Sequence, residues 1–236
     1  MSQAIAIVGE SGSGKTSSLA QVPELGIEGL DPKETFIINV KGKPLPIKGF
    51  RTKYVPVQAG GPPAEGNYLS TTDTDLIIRT MNFISSSRPD IKHVVLDDGQ
   101  YIMSEEFMAN ALKSGFEKFN RMAKNMYDVI NAGINMSEDK NFILLTHVEV
   151  EEGKAKIKTL GKLLDDKVNL AGLFTYVFYT TVKVGPSGAE YKFATNTTID
   201  HNGVLLPAKT PIGMFSEILI PNDLGVVVKK IEEYQN

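Results

Sequence analysis

Eight consecutive residues, Gly9-Glu10-Ser11-Gly12-Ser13-Gly14-Lys15-Thr16, follow the pattern G-x-x-x-x-G-K-[ST]. Each position in that pattern serves phosphate chemistry. Gly9 and Gly14 let the backbone turn tightly and approach an anion with no Cβ in the way. Successive N–H groups can then point at one phosphate. Lys15 brings charge to the β and γ oxygens, and the Thr16 hydroxyl is a candidate magnesium ligand. Ser17 completes the candidate cradle. A glycine-rich turn matching by chance would lack the flanks found here: an all-apolar run at 4–8, and a helix-compatible stretch at 17–21 that Pro23 cuts short.

The second group is acidic. Val94-Val95-Leu96 reads as a short buried strand ending in Asp97-Asp98. Asp97 is the candidate metal acid, accepting from Thr16 and holding magnesium through water. Asp98 is the candidate to polarise an attacking water, with Glu65 and Glu10 as substitutes. Capping the next helix is the plainer role for either aspartate. Thr146-His147 closes another apolar run at 142–145, where His147 could sense a γ-phosphate or align water, with Glu149 to share that work. A hydrogen-bonded histidine at a strand end is the alternative.

These groups need a frame. Strands are expected at 4–8, 35–40, 94–96 and 142–145, with a further candidate at 53–58. Gly- and Pro-rich residues 60–75 read as an exposed loop, and a helix resumes near Asp73 or Thr74 with Leu76, Ile77, Met81 and Ile84 inward. Residues 107–130 form one long helix or two, broken at Gly115 and ended near Gly133. After residue 173 a hairpin spans 174–184 and 190–195 across 185–189, followed by a short strand at 204–206 and a final helix carrying Leu224, Val227, Val228 and Ile231. Strands alternating with helices imply an α/β fold with a mostly parallel sheet, helices on both faces and antiparallel strands toward the C-terminus, in one domain over residues 1–236.

Composition narrows the classes. At 236 residues and 42% hydrophobic, the chain can bury a single large core. Lys+Arg 25 against Asp+Glu 28 leaves −3, so no global basic field announces nucleic acid. Cys 0 excludes disulfides and thiolate chemistry, and His 3 leaves little for zinc. No segment approaches the roughly 18 apolar residues of a spanning helix, and no signal-like N-terminus precedes the first strand. A soluble, cytoplasmic protein with no membrane partner is expected.

The whole layout resembles the single-domain RecA-like P-loop ATPases of tailed phages, including phage nucleotide-binding proteins and single-strand annealing or recombination ATPases. The resemblance rests on the octet near the start, on Phe36-Ile37-Ile38-Asn39-Val40 with Gly42-Lys43-Pro44-Leu45, on Val94-Val95-Leu96-Asp97-Asp98, on Leu145-Thr146-His147, and on Lys209-Thr210-Pro211 followed by Gly213-Met214-Phe215. It implies a RecA-like P-loop NTPase core and hydrolysis of ATP with Mg2+, coupled to single-stranded DNA in phage recombination or replication, in the host cytoplasm. It further implies a homo-oligomer and a single-strand-binding protein as partner. Relatives place a water-activating glutamate before the metal-acid strand. Val55-Pro56-Val57-Gln58 offers none, which shifts that role to Asp98 or Glu65. Lys154, Lys156, Lys158 and Lys162 fall where RecA-like proteins carry DNA-contacting loops, although a solvated hairpin would look the same. A cation from a neighbouring subunit would come from Arg51, Arg79, Arg88, Arg121 or a lysine. The competing class is an ATP-gated interaction protein that recruits a replication, nuclease or packaging partner without touching DNA.

Overall fold

Side-chain alternation along the central strands sorts their residues onto two faces, and each face has its own core. A computed structural model of the chain describes residues 1–58, 60–112, 114–186 and 188–235, with the side chains of Lys162, Asp165 and Asp166 outside that set. In chain order the strands are β1 (Gln3–Gly9), β2 (Thr35–Asn39), β3 (Tyr68–Ser70), β4 (His93–Asp97), β5 (Asn141–Glu151), β6 (Lys154–Ile157), β7 (Tyr176–Gly185), β8 (Gly188–Ala194), β9 (Thr198–Ile199), β10 (Leu205–Leu206) and β11 (Leu219–Pro221). The helices are α1 (Phe50–Lys53), α2 (Thr74–Ser87), α3 (Tyr101–Ala109), α4 (Glu117–Ile134), α5 (Lys162–Lys167) and α6 (Leu224–Gln235).

The sheet runs β11-β8-β7-β1-β5-β4-β2-β3. From β7 to β3 every neighbouring pair is parallel, while β8 and β11 add antiparallel strands at one edge. One face carries Ala6, Val8, Phe36, Ile38, Leu96 and Leu144 against Met81 and Ile84 of α2, Ile102 of α3 and Met126 and Ile130 of α4. The other carries Ile5, Ile7, Ile37, Val95 and Leu145 against Leu224, Val227 and Ile231 of α6. That period-2 sorting makes a run such as Ala4–Val8 apolar throughout, because both faces are covered. Among the described residues no helix is long and apolar enough to cross a membrane.

Several expected elements differ. The stretch after the glycine loop is only a 3-10 turn, Ser17–Leu19, so the loop leads into no long helix. Residues 53–58 form no strand: the chain leaves α1, and Pro56, with no N–H to give, makes one isolated bridge to Tyr68. The sheet's edge is β3 instead, inside the stretch read as loop. Asn67 makes it possible, donating to Pro32 O and Lys53 O and accepting from Val55 N. The 107–130 periodicity divides into α3 and α4, and α4 reaches Ile134. β5 does not stop at His147 but continues to Glu151 and folds back as β6. The hairpin expected across 185–189 joins β7 to β8, with Ser187 outside the described residues. Asp73 caps α2 as its position suggests, its carboxylate accepting from Leu76 N at 3.0 Å.

Candidate functional site

β1 ends at Gly9 in the middle of the sheet, and the glycine loop turns there over the C-terminal ends of the parallel strands. A Cβ on Gly9 would stand 1.7 Å from Thr180 Oγ1, so β7 crowds this position against any other residue. Gly12 and Gly14 have φ of +79° and +89°, the left-handed region that glycine adopts freely. The loop is braced from outside. Thr180 donates to Ser13 Oγ at 2.8 Å, Ser13 Oγ donates to Glu10 O at 2.7 Å, and Asn222 Nδ2 donates to Ser13 O at 3.2 Å. Lys15 lies 6% exposed beneath the loop, its ammonium donating to Gly9 O (2.9 Å) and Glu10 O (2.7 Å). Burial pulls that ammonium below its ordinary pKa, against the opposing pull of Asp98, Asp97 and Glu10.

Two strands away, β4 ends at Asp97, only 3% exposed. Thr16 Oγ1 donates to Asp97 Oδ1 at 3.0 Å. Burial, followed by the charge of Asp98, pushes the Asp97 carboxyl up to about 7, while the Thr16 hydrogen bond and Lys15 and Lys43 pull it down. A hydroxyl and a buried carboxylate side by side are hard oxygen donors suited to magnesium, which takes one or two protein oxygens and fills its remaining positions from phosphate and water. The residues fit that ion. No cluster of three or more His, Asp or Glu able to hold a metal by itself occurs among the described residues.

A cleft of about 190 Å³ runs between the loop and the segment after β2, lined by Ser11, Gly12, Gly14, Lys15, Thr16, Ser17, Asn39, residues 43–46, Asp97, Asp98 and His147. Asp98 has φ +60°, a left-handed conformation that aspartate tolerates better than most residues. Its carboxylate stands 3.6 Å from His147 Nε2 and 3.8 Å from Lys43 Nζ, the latter a long ion pair and neither a close hydrogen bond. His147 sits on β5 directly opposite Gly9 across the parallel pairing. Burial, then the charge of Lys15, lowers its pKa, so the imidazole is neutral at pH 7. Its ring meets the edge of Tyr101 at 5.8 Å.

The cleft therefore gathers Gly12, Gly14, Lys15, Thr16, Ser17, Asp97, Asp98 and His147. Glu65 is corrected: it lies exposed in the loop entering β3, whose far end, not its start, faces the cleft, and Arg88 ties that loop down through Pro63 O and Gly66 O. Glu10 contributes its carbonyl rather than its exposed side chain. Glu149 faces Lys156 across β5 and β6 and does not line the cleft. Lys154, Lys156 and Lys158 alternate with buried Ala155 and Ile157, and the lysine face carries Glu149 and Glu151 as cross-strand neighbours. Lys156 pairs with Glu151 at 2.7 Å and with Glu149 at 3.7 Å. Lys162 opens α5, and its side chain lies outside the described set.

Sequence reasoning does not pick out Thr180, Asn222, Lys43 or Gln100 as site residues. Gln100, 5% exposed, accepts from Thr146 Oγ1 and His147 N, both at 3.3 Å, and so ties the start of α3 to the cleft end of β5. Its Nε2 is buried without a partner. Only its position just after Asp97-Asp98 could have drawn notice.

Strand order, glycine loop and strand-end acid together define an α/β fold with a largely parallel central sheet, helices on both faces and a glycine-lined cleft at the strand ends. No protein-family model matches the chain, and no curated protein matches it. Among solved structures it is similar to the KaiC-like protein PH0186 from the hyperthermophilic archaeon Pyrococcus horikoshii OT3, at 11% identity and a TM-score of 0.45, over 81% of this chain and 78% of that one. At that level the similarity carries nothing about activity.

Proposed function

We propose that this chain is a magnesium-dependent ATPase. The observation that carries the reading is the 3.0 Å contact between Thr16 and Asp97, which brings the end of the glycine loop against a buried acid 81 residues away. A glycine turn matching by chance has no reason to meet such a partner beside a buried lysine. In this reading the loop N–H groups and Lys15 bind the triphosphate, and the cleft walls orient its γ-phosphate toward Asp98. Magnesium held by Thr16 and Asp97 would neutralise charge on the β and γ oxygens. Asp98 orients the attacking water and accepts its proton, and neutral His147 supplies a hydrogen bond beside it.

For coupling, single-stranded DNA and a protein partner compete. The face expected to meet DNA sets three lysines among two glutamates, with Lys156 already engaged by both. Capture of a phosphate backbone draws on released counterions and unopposed cations. That charge pattern favours an ATP-gated interaction protein over direct strand binding, with a single-strand-binding protein one candidate partner. The test of the core reading is calorimetric titration of Mg-ATP into the parent and into Lys15→Ala. The parent is expected to bind saturably and the variant to lose at least about tenfold in affinity, as removal of a charged phosphate contact predicts. Equal affinity in the two would refute the site.

A further inference from the structure

The segment between β2 and α1 is built to hold one lysine over the cleft. Asn39, 1% exposed at the end of β2, accepts from Gly42 N at 2.8 Å and donates to Lys43 O at 2.7 Å and to Tyr68 Oη at 3.0 Å. Gly42 takes φ +69°, a turn that a side chain would strain. Pro44 and Pro46 restrict the chain beyond it, while Leu45 and Ile47 bury themselves at 7% and 6% exposure. So fixed, Lys43 lines the same cleft as Lys15 but from the opposite wall. Its ammonium stands 3.8 Å from Asp98 Oδ2 and 5.3 Å from the Tyr101 ring centroid. Lys41 reaches the same ring but is drawn outward by an ion pair with Glu105.

We infer that Lys43 is a second catalytic cation, supplied by the same chain, that contacts the γ-phosphate as charge builds on it. The inference rests on the ATPase reading above. In the balanced step, the water oxygen bonds to the γ-phosphorus while the bond to the β,γ-bridging oxygen breaks, and ADP leaves with that electron pair. The water proton passes to Asp98 and then to solvent, giving ADP, inorganic phosphate and a proton. The Lys43–Asp98 pair is long and its lysine 61% exposed, so it is weak and readily exchanged for a more highly charged phosphate. Lys43 then does what an arginine finger does elsewhere, without a neighbouring subunit. Among the described residues no arginine lines the cleft, and both Arg88 and Arg121 are engaged with acids of their own.

The test compares Mg-ADP with Mg-ADP plus aluminium fluoride, which mimics the transferring phosphoryl group, by calorimetry on the parent, Lys43→Ala, Lys43→Arg and Lys15→Ala. Lys43→Ala should bind Mg-ADP within about twofold of the parent, yet lose about tenfold or more of the affinity that aluminium fluoride adds. Lys43→Arg should recover most of it. Turnover by Lys43→Ala should fall in kcat with KM little changed. Full retention of the aluminium fluoride enhancement in Lys43→Ala overturns the inference, as does an equal loss for both ligands, which would mark uniform binding. Failure of the ATPase reading has a separate signature: a parent that binds neither ligand, or a Lys15→Ala that binds both as the parent does.

Discussion

In the proposed reaction Asp98 is the residue on which the chemistry turns, since among the described cleft residues it combines a carboxylate with a backbone held at φ +60° between a neutral histidine and a lysine. Asp98→Asn keeps the shape and removes the proton acceptor. We expect kcat to fall by about a hundredfold, with Mg-ATP affinity within a few-fold of the parent. Steady-state rates beside a binding titration check this, and an unchanged kcat would move water activation to another group. Much of the candidate site was legible at this scale because the octet follows a phosphate-binding pattern and Asp97-Asp98 ends an apolar run, and both line the same cleft. Lys43, Gln100, Thr180 and Asn222 were not legible, since a lone lysine, amide or hydroxyl carries no spacing signal. Their roles come from segments that only the fold brings to the loop. Glu65 was misplaced for the same reason: its sequence position does not say that it precedes β3 at the end of that strand away from the cleft.

Among the elements, β4 joins two kinds of work along five buried residues. Its last residue is the proposed metal acid, and its first, His93, faces Asn141 of β5, whose Nδ2 lies 3.0 Å from His93 Nδ1. Burial lowers the His93 pKa from 6.5 to about 4, against partial opposition from Glu34 and, more weakly, Asp31, with Lys92 lowering it a little further. The folded protein therefore binds fewer protons here than the unfolded chain. The neutral-histidine contribution is complete above pH 6.5 and is lost as pH falls toward 4, by about 3 kcal/mol in all. Over the same range the Asp97 carboxyl, raised to about 7, works in the opposite direction in parent and variant alike, so the His93 loss is read as a difference. Between pH 6.5 and 5 urea denaturation should show His93→Gln losing less stability, or gaining more, than the parent as pH falls. A variant with the parent's slope would place the acid sensitivity elsewhere. The parallel core of strands was readable because burial on both faces makes each run apolar. β3 and the lack of a strand at 53–58 were not, because an asparagine's hydrogen bonds and a proline's missing N–H decided them locally.

On the scale of the whole molecule, the loop, the acids and the Lys43 segment meet at one end of the parallel sheet, whereas the β5–β6 lysines project from a side ladder and face glutamates. Turnover should therefore change by less than about twofold when a single-stranded oligonucleotide is added at low salt. Strong stimulation that fades with added salt would instead restore the DNA-coupled reading. Most direct of all is ATP hydrolysis itself: phosphate release by the purified chain with magnesium, measured against Lys15→Ala prepared in parallel. The account predicts magnesium-dependent turnover by the parent and its loss by at least about a hundredfold in Lys15→Ala, because the variant removes charge where the γ-phosphate charge develops. Turnover by Lys15→Ala within about twofold of the parent would contradict it.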